Sequence, residues 1–166
     1  MNSQYRLQTL SKSSNNEMQL QSIYDLNQAN TPEVGSLESM QHLKRLIDFS
    51  AYNLLVLKKD EIVGFIICIR ESSAYGSENY KFFTKRLKKF LYVDRVAIDE
   101  QHRRAGLGQA IYEDIFSQAS NENLPVALEV NTQPVNQPSL NFHEKMGFDH
   151  VGIRDFDDHS VAYFIK

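Results

Sequence analysis

The sequence contains little cysteine, proline, glycine and tryptophan, and each shortage narrows what the protein can be. Its 166 residues include one cysteine, four prolines, seven glycines and no tryptophan. A lone cysteine forms no internal disulfide, which is typical of a reducing compartment, and the apolar neighbours of Cys68 indicate a core side chain. No apolar run reaches the roughly 20 residues that span a bilayer, and the first residues lack the apolar centre of a signal peptide. We therefore expect a cytoplasmic protein with no membrane partner.

An excess of positive charge is missing as well. Lys and Arg number 18 against 21 Asp and Glu, for a formal net charge of −3. Nucleic-acid-binding domains are usually basic, so we expect no nucleic-acid partner. The five histidines show no metal-ligand spacing with cysteine or acidic residues, so we expect no metal. A hydrophobic content of 42% is that of a globular chain, and the length predicts one domain over residues 1–166.

Hydrophobic periodicity alternates between the two-residue repeat of strands and the longer repeat of helices. Strands are predicted over residues 5–10, 53–57, 62–69, 90–98, 124–130, 148–156 and 160–166. Helices are predicted over 18–26, 37–47, 139–146 and onward from 106. Residues 70–90 are the least regular part. This order predicts an α/β fold, a mixed sheet with helices on both faces.

A glycine-containing turn connects the strand ending at Ile98 to the helix that begins near Gly106. The N–H groups at a helix N-terminus are free to bind an anion, and glycines at 106 and 108 let a diphosphate approach the backbone. Arg103 and Arg104 can add charge-assisted hydrogen bonds. The third glycine of a dinucleotide fingerprint falls at Ile111, so that motif is absent. Solvated arginines beside a simple chain reversal are the alternative.

The run RRAGLG over residues 103–108 fits an [RQ]-x-x-G-x-[GA] pattern and resembles the pyrophosphate loop of the GNAT superfamily of N-acetyltransferases. A second stretch, NQPSLNFHEKMGF over 136–148, is similar to that family's later N-x-x-[AS]-x-x-[FL]-[YH]-x-x-x-G-F motif. The resemblance covers nearly the whole chain and is nearest to a bacterial branch of small acetyltransferases. It implies a mostly antiparallel central sheet of about seven strands.

The resemblance also implies acetyl-CoA as co-substrate and a set of residues that bind it. Val96, Ala97 and Ile98 would follow the pantetheine arm, and the N–H of Val96 would polarise the thioester carbonyl. Asn136 would contact the cofactor, or it caps the helix that follows. The pyrophosphate cradle would be formed by Arg103, Arg104, Ala105, Gly106, Leu107 and Gly108.

Two carboxylates lie on the strands that border the implied substrate gap. Asp94 is two residues before Val96, which places both on one face of a regular strand, and Glu129 lies on the next strand. Either can act as general base or anchor for an amine. Alternatively, Asp94 pairs with Arg70 or Arg95, and Glu129 is a satisfied strand carboxylate.

His143 occupies the position at which many members of the family have a tyrosine that acts as general acid. A neutral imidazole still carries one N–H, so His143 can serve as a catalytic proton donor or relay. The alternative is a histidine that packs beside Phe142. Tyr75 and Tyr80, in the irregular segment, are candidate walls of a substrate pocket, or else a small loop core.

These features lead to one expected function and one alternative. We expect an N-acetyltransferase that transfers acetyl directly from acetyl-CoA to a primary amine of a small molecule, an amino acid or a peptide. The alternative is a non-catalytic acyl-CoA-binding module that serves a protein partner. The oligomeric state is open, with a homodimer among the options.

Overall fold

The computed structural model describes residues 4–12 and 16–166, which form one seven-stranded sheet flanked by five α-helices. Along the chain, the elements are β1 (Tyr5–Thr9), α1 (Glu17–Gln28), α2 (Met40–Phe49), β2 (Tyr52–Lys58), β3 (Glu61–Arg70), α3 (Glu78–Thr84), β4 (Leu91–Ile98), α4 (Leu107–Asn121), β5 (Val126–Gln133), α5 (Gln137–Lys145), β6 (Asp149–Asp155) and β7 (Ser160–Ile165).

The strand order is β1-β2-β3-β4-β5-β7-β6, and only β4 and β5 run parallel to each other. Adjacent residues of β3 point to opposite faces, since Ile66 packs with the α4 side chains Ile111 and Tyr112 while Phe65 packs with residues of α1 and α2. The predicted mixed, mostly antiparallel sheet with helices on both faces is confirmed, as is the pairing of the last two strands.

Helix α3 was not predicted, because its segment shows no long apolar repeat. The Ser77 hydroxyl caps its N-terminus by accepting from the Tyr80 N–H. Tyr80 and Phe83, three positions apart, bury their rings against Phe90 and β4. A seven-residue helix is too short to be stable alone, so this packing holds it. Because α3 packs in this way, its N-terminus lies beside β5, where Asn79 contacts Glu129.

Candidate active site

The central sheet opens between β4 and β5. These strands pair only at their starts, Leu91 with Val126 and Tyr92 with Ala127, although β4 continues to Ile98 and β5 to Gln133. We refer to the gap between residues 93–98 and 128–133 as the strand cleft. Backbone groups that border it are not used by a β4–β5 ladder, so they are available to a ligand.

A β-bulge lies where the strand cleft begins. On β3, Ile67 pairs with Arg95 and Cys68 pairs with Val93, which leaves Asp94 as an extra residue of β4. The bulge interrupts the alternation of side chains. The expectation that Asp94 and Val96 share one face is therefore wrong, because Val96 packs on the α4 side whereas Asp94 contacts Tyr75 on the opposite side.

Asp94 forms an ion pair with its neighbour, in which Arg95 Nε donates to Asp94 Oδ2 at 2.8 Å. Both side chains are nearly excluded from solvent, at 3% exposure for Asp94 and 8% for Arg95. The Arg95 guanidinium also donates to Asn27 Oδ1 of α1 at 2.9 Å and to the Gly35 carbonyl at 3.1 Å. The pairing of Asp94 with Arg95, one of the alternatives left open by the sequence, is confirmed.

Glu129, on β5, is held by neutral hydrogen-bond donors rather than by a cation. The Tyr92 hydroxyl lies 3.0 Å from its Oε1 and 2.8 Å from its Oε2, and Asn79 Nδ2 donates to Oε1 at 3.1 Å. The loss of hydration on burial raises the pKa of Glu129 to about 8, with a further upward contribution from the negative charge of Asp94. A carboxylate of this pKa is suited to take a proton from an amine near neutral pH.

The two tyrosines predicted to line a substrate pocket differ in their surroundings. Tyr75 is partly buried, and its hydroxyl lies close enough to Asp94 and Glu129 for both carboxylates to act on it. Burial and the charge of Asp94 raise its pKa. Tyr80 is only 2% exposed, and its hydroxyl donates to the Arg70 carbonyl and accepts from the Ser73 N–H. Tyr80 therefore acts on the site through its ring contacts with Tyr92 and Tyr75, at 5.6 Å and 5.7 Å between centroids.

The glycine-containing turn ends in an uncapped helix N-terminus. Gly106, with φ of 76°, is the N-cap of α4 and offers no side-chain acceptor. The first bond closed within the helix runs from the Ala110 N–H to the Gly106 carbonyl at 3.1 Å. The N–H groups of Leu107, Gly108 and Gln109 precede it and have no acceptor in the helix. These donors can hold an anion, as predicted for a pyrophosphate loop.

The two glycines of this turn do different things. A Cβ at Gly106 would point into open space, whereas one at Gly108 would lie 3.4 Å from Phe142 Cζ. The absence of a side chain at position 108 thus lets α4 pack against α5. At position 106, glycine permits the left-handed backbone and leaves the approach to the N–H groups clear.

The two arginines of the turn also differ. Arg103 donates to Asn30 Oδ1 at 2.9 Å, which ties the turn to the segment that follows α1. Arg104, exposed and with φ of 62°, forms no bond to any described residue. Arg104 is therefore the arginine whose guanidinium is free for a ligand.

His143 is buried at 4% exposure among the rings of Tyr112, Phe142, Phe148 and Phe164. Burial lowers its pKa to about 4, so the ring is neutral at pH 7. Since a carbonyl only accepts, Nδ1 donates to the Ser139 carbonyl at 2.8 Å, and Nε2 accepts from the Tyr112 hydroxyl at 2.8 Å. Neither nitrogen has a free N–H in this arrangement. The catalytic role of His143 stays a prediction.

Asn136 caps α5, because its Oδ1 accepts from the Ser139 N–H at 3.2 Å. This is one of the two roles expected for it. The cap uses the amide oxygen and not the amide nitrogen.

Sequence reasoning missed three polar side chains that surround Glu129, namely Tyr92, Asn79 and Tyr163. The last two are linked, since the Tyr163 hydroxyl donates to Asn79 Oδ1 at 2.8 Å across 84 positions. The sequence contains one signal for Tyr92, because this side chain carries a hydroxyl group within an otherwise apolar run of β4. No local pattern links residues so far apart in the chain.

Residues 4–12 and 16–166 contain no group of three or more His, Cys, Asp or Glu side chains positioned to hold a metal ion. None of their helices is both long and apolar enough to cross a membrane.

Comparison of the sequence with known proteins identifies a family. Residues 20–148 match the model of the acetyltransferase (GNAT) family. An N-alpha-acetyltransferase of Sulfurisphaera tokodaii is 26% identical over 114 residues, which are 69% of this chain and 64% of that relative. The chain thus spans less than two thirds of the length of the curated relative.

Two solved structures show the same fold. Arabidopsis thaliana NAA60 in complex with acetyl-CoA superimposes with a TM-score of 0.73 at 12% identity, over 98% of this chain and 97% of that one. The ribosomal-protein-S18-alanine N-acetyltransferase from Escherichia coli gives a TM-score of 0.70 at 15% identity, over 97% and 92%. On the match over residues 20–148, the chain belongs to the GNAT acetyltransferase family.

Proposed function

We propose that this protein is an acetyl-CoA-dependent N-acetyltransferase that transfers acetyl directly to the α-amine at the N-terminus of a peptide or protein. The observation that carries the proposal is the Glu129 carboxylate, which borders the strand cleft with a pKa of about 8. A relative that acetylates N-alpha-amines and a structural neighbour that acetylates a ribosomal protein support this choice of acceptor.

The cofactor binds, in this proposal, along β4 and at the start of α4. The free N–H groups of Leu107 and Gly108, beside the open approach at Gly106, hold the pyrophosphate, and Arg104 adds a charge-assisted hydrogen bond. Ala105 and Arg103 shape the turn. The backbone of Val96, Ala97 and Ile98 follows the pantetheine arm, and the Asn136 amide nitrogen is free to reach it from the start of α5.

The reaction is a direct displacement. Glu129 first accepts a proton from the α-ammonium group, which leaves a neutral amine. The amine nitrogen then forms a bond to the acetyl carbon, the carbon–sulfur bond breaks, and the departing coenzyme A thiolate takes up the second proton that the nitrogen loses on becoming an amide. An N–H of β4, at Val96, polarises the thioester carbonyl. Asp94, already paired with Arg95, and Tyr75 help to anchor the incoming ammonium group.

Matching of pKa values favours an α-amine over a lysine side chain. A peptide α-ammonium has a pKa of about 8, close to that of Glu129, so proton transfer between them is nearly balanced. A lysine ammonium, with a pKa of about 10.4, would make the same transfer unfavourable by roughly 3 kcal/mol. A module that only binds acyl-CoA has no use for such a carboxylate, which argues against the non-catalytic alternative.

A panel of acceptors tests the proposal. Free coenzyme A thiol is measured with acetyl-CoA and peptides that have a free N-terminus, the same peptides with a blocked N-terminus and an internal lysine, and small primary amines. We expect turnover with free N-termini and at least tenfold less with blocked peptides. Turnover confined to lysine or to small amines would overturn the acceptor assignment. Binding of acetyl-CoA with no turnover across the panel would overturn the assignment of this protein as an enzyme.

A further inference from the structure

Helix α3 brings a polar side chain to the proposed general base. Asn79 lies in the first turn of this helix, and its Nδ2 donates to Glu129 Oε1 at 3.1 Å. On its other side, Asn79 Oδ1 accepts from the hydroxyl of Tyr163 at 2.8 Å. Tyr163, on β7, is completely buried, and its ring stacks on Phe82 of the same helix with 3.7 Å between centroids.

We propose that Asn79 and Tyr163 are positioning residues that hold the Glu129 carboxylate in the orientation from which it takes the proton of the amine. The inference rests on the proposed function, since it assigns Glu129 as the base. It adds two residues, from α3 and β7, to a base that lies on β5 and also accepts from Tyr92 of β4.

The direction of the hydrogen bonds fixes the amide. A carboxylate accepts only, so the side of Asn79 that faces Glu129 must be the nitrogen. The Tyr163 hydroxyl, which donates to Asn79 Oδ1, makes the opposite orientation of the amide unfavourable. Tyr163 thus acts on Glu129 through Asn79, without touching the carboxylate.

The two oxygens of Glu129 accept from different donors. Asn79 Nδ2 donates to Oε1 at 3.1 Å, and the single proton of the Tyr92 hydroxyl is assigned to Oε2 by the shorter of its two contacts, 2.8 Å against 3.0 Å. Each oxygen has two acceptor positions, so each keeps one for an incoming amine proton. The Asn79 bond fixes the rotation of the carboxylate and therefore the direction in which these positions point.

Several titratable groups face this carboxylate and set its proton affinity together. Burial raises the pKa of Glu129 and the hydrogen bonds from Tyr92 and Asn79 lower it again. The facing groups are Tyr92 and Asp94 of β4, with Arg95 paired to Asp94; Tyr75 before α3; Tyr163 of β7, with Arg154 of β6 near it; and Tyr112 of α4. The Asn79 bond stabilises the charged form of the carboxylate, so removal of Asn79 raises the pKa of Glu129.

The test is the pH dependence of kcat/KM for Asn79→Ala and Tyr163→Phe, with acetyl-CoA and one free-N-terminus peptide throughout so that the titration of the amine is the same in every arm. We expect the ascending limb of Asn79→Ala to move to higher pH by about one unit, with about a tenfold loss well below the limb. Tyr163→Phe retains the ring stack on Phe82 and should move the limb the same way by less.

Tyr52→Phe is the matched control, because it removes a partly buried hydroxyl that donates to Asp114 at 2.9 Å, away from the strand cleft. It should lower the melting temperature without moving the limb. If Asn79→Ala or Tyr163→Phe lowers activity equally at every pH, the residues are structural and the inference fails. If Asn79→Ala does not fold, the pH profile of Tyr163→Phe alone tests the positioning role.

If the proposed function itself were wrong, the same experiments would give a different result. In that case the wild-type protein releases no thiol with any free N-terminus, or Glu129→Gln turns over the same peptide at the wild-type rate. If wild-type turnover and its dependence on Glu129 hold while both variants leave the limb in place, only the positioning role is refuted.

Discussion

The proposed pyrophosphate loop and the cluster of side chains around Glu129 are built on opposite principles. The loop consists of contiguous residues, 103–108, and offers backbone N–H groups at an exposed helix start. The cluster consists of side chains from α3, β4, β5 and β7, and two of its bonded partners are 84 positions apart. One is a local backbone feature, and the other exists only in the folded chain.

This difference predicts different consequences of mutation. Backbone donors survive most side-chain changes, so a substitution in the loop should weaken cofactor binding in proportion to the one contact it removes. A buried carboxylate depends on every neighbour, because an unmatched charge in a desolvated site is costly. Changes in the cluster should therefore act on the rate and on its pH dependence, and leave affinity for acetyl-CoA intact.

Glu129→Gln should give the largest effect and separates the two regions most clearly. The substitution keeps the shape and a hydrogen-bonding oxygen while it removes the proton acceptor. We expect kcat for a free-N-terminus peptide to fall by about 10²- to 10⁴-fold, with the dissociation constant for acetyl-CoA within about twofold of the wild type. Steady-state kinetics and calorimetry provide the two measurements.

Asp94→Asn is the companion variant for this prediction, since Asp94 is the other carboxylate of the cleft but is paired with Arg95. It should raise KM for the peptide more than it lowers kcat. A loss of kcat from Asp94→Asn that equals or exceeds that from Glu129→Gln would transfer the role of base to Asp94.

Arg104→Ala probes the loop, and Arg103→Ala is its matched control. Removal of one charge-assisted bond to the pyrophosphate should raise the dissociation constant of acetyl-CoA about tenfold, with kcat at saturation unchanged. Arg103→Ala loses the bond to Asn30 instead, so it should lower the melting temperature and weaken binding by less. Calorimetric titration and thermal unfolding of both variants measure this contrast. Equal affinity losses would show that both arginines bind phosphate.

Most of the fold was predictable because most of its elements carry an internal repeat. The short apolar runs of β4 and β5 and the apolar stripe of α4 specify strands and a helix without help from the rest of the chain. Helix α3 was not predictable in this way, since its two buried rings, Tyr80 and Phe83, are stabilised only by packing against β4 and β7 in the folded chain. A helix of seven residues is specified by its tertiary contacts.

The site divides along the same line. The turn at Gly106 was recognisable from its residues, because the left-handed backbone at the start of α4 is a local geometry that a short motif encodes. The bulge at Asp94 was not, since one extra residue in a strand has no signature in this sequence, and it reverses which residues share a face. Asn79 and Tyr163 could not be assigned to Glu129 from spacing, because they meet it only through the folded sheet.

His143 lies outside both regions, and its removal should have the smallest effect on rate. His143→Phe leaves the Tyr112 hydroxyl buried without an acceptor, so the protein should lose about 1–3 kcal/mol of stability at pH 7. The double variant Tyr112→Phe/His143→Phe removes that orphaned group and should recover part of the loss. Activity per folded molecule should stay within about threefold, since the ring has no free N–H to donate. A loss of 100-fold or more would establish the histidine as the general acid.

The pH dependence of stability completes this prediction. The pKa of His143 is lowered from its ordinary value of 6.5 to about 4 by burial, so the unfolded chain binds more protons than the native state between these values. The neutral ring therefore contributes its full stability above about pH 6.5, and this contribution is lost as the pH falls through about 4.

Chemical denaturation of the wild type and of the double variant at pH 7 and pH 4.5 measures the difference. The variant should lose less stability on acidification, because a phenylalanine at position 143 has no proton to take up. An identical loss in both proteins would mean that the pKa of His143 is the same in the native and unfolded states, and the lowering of this pKa by burial would be refuted.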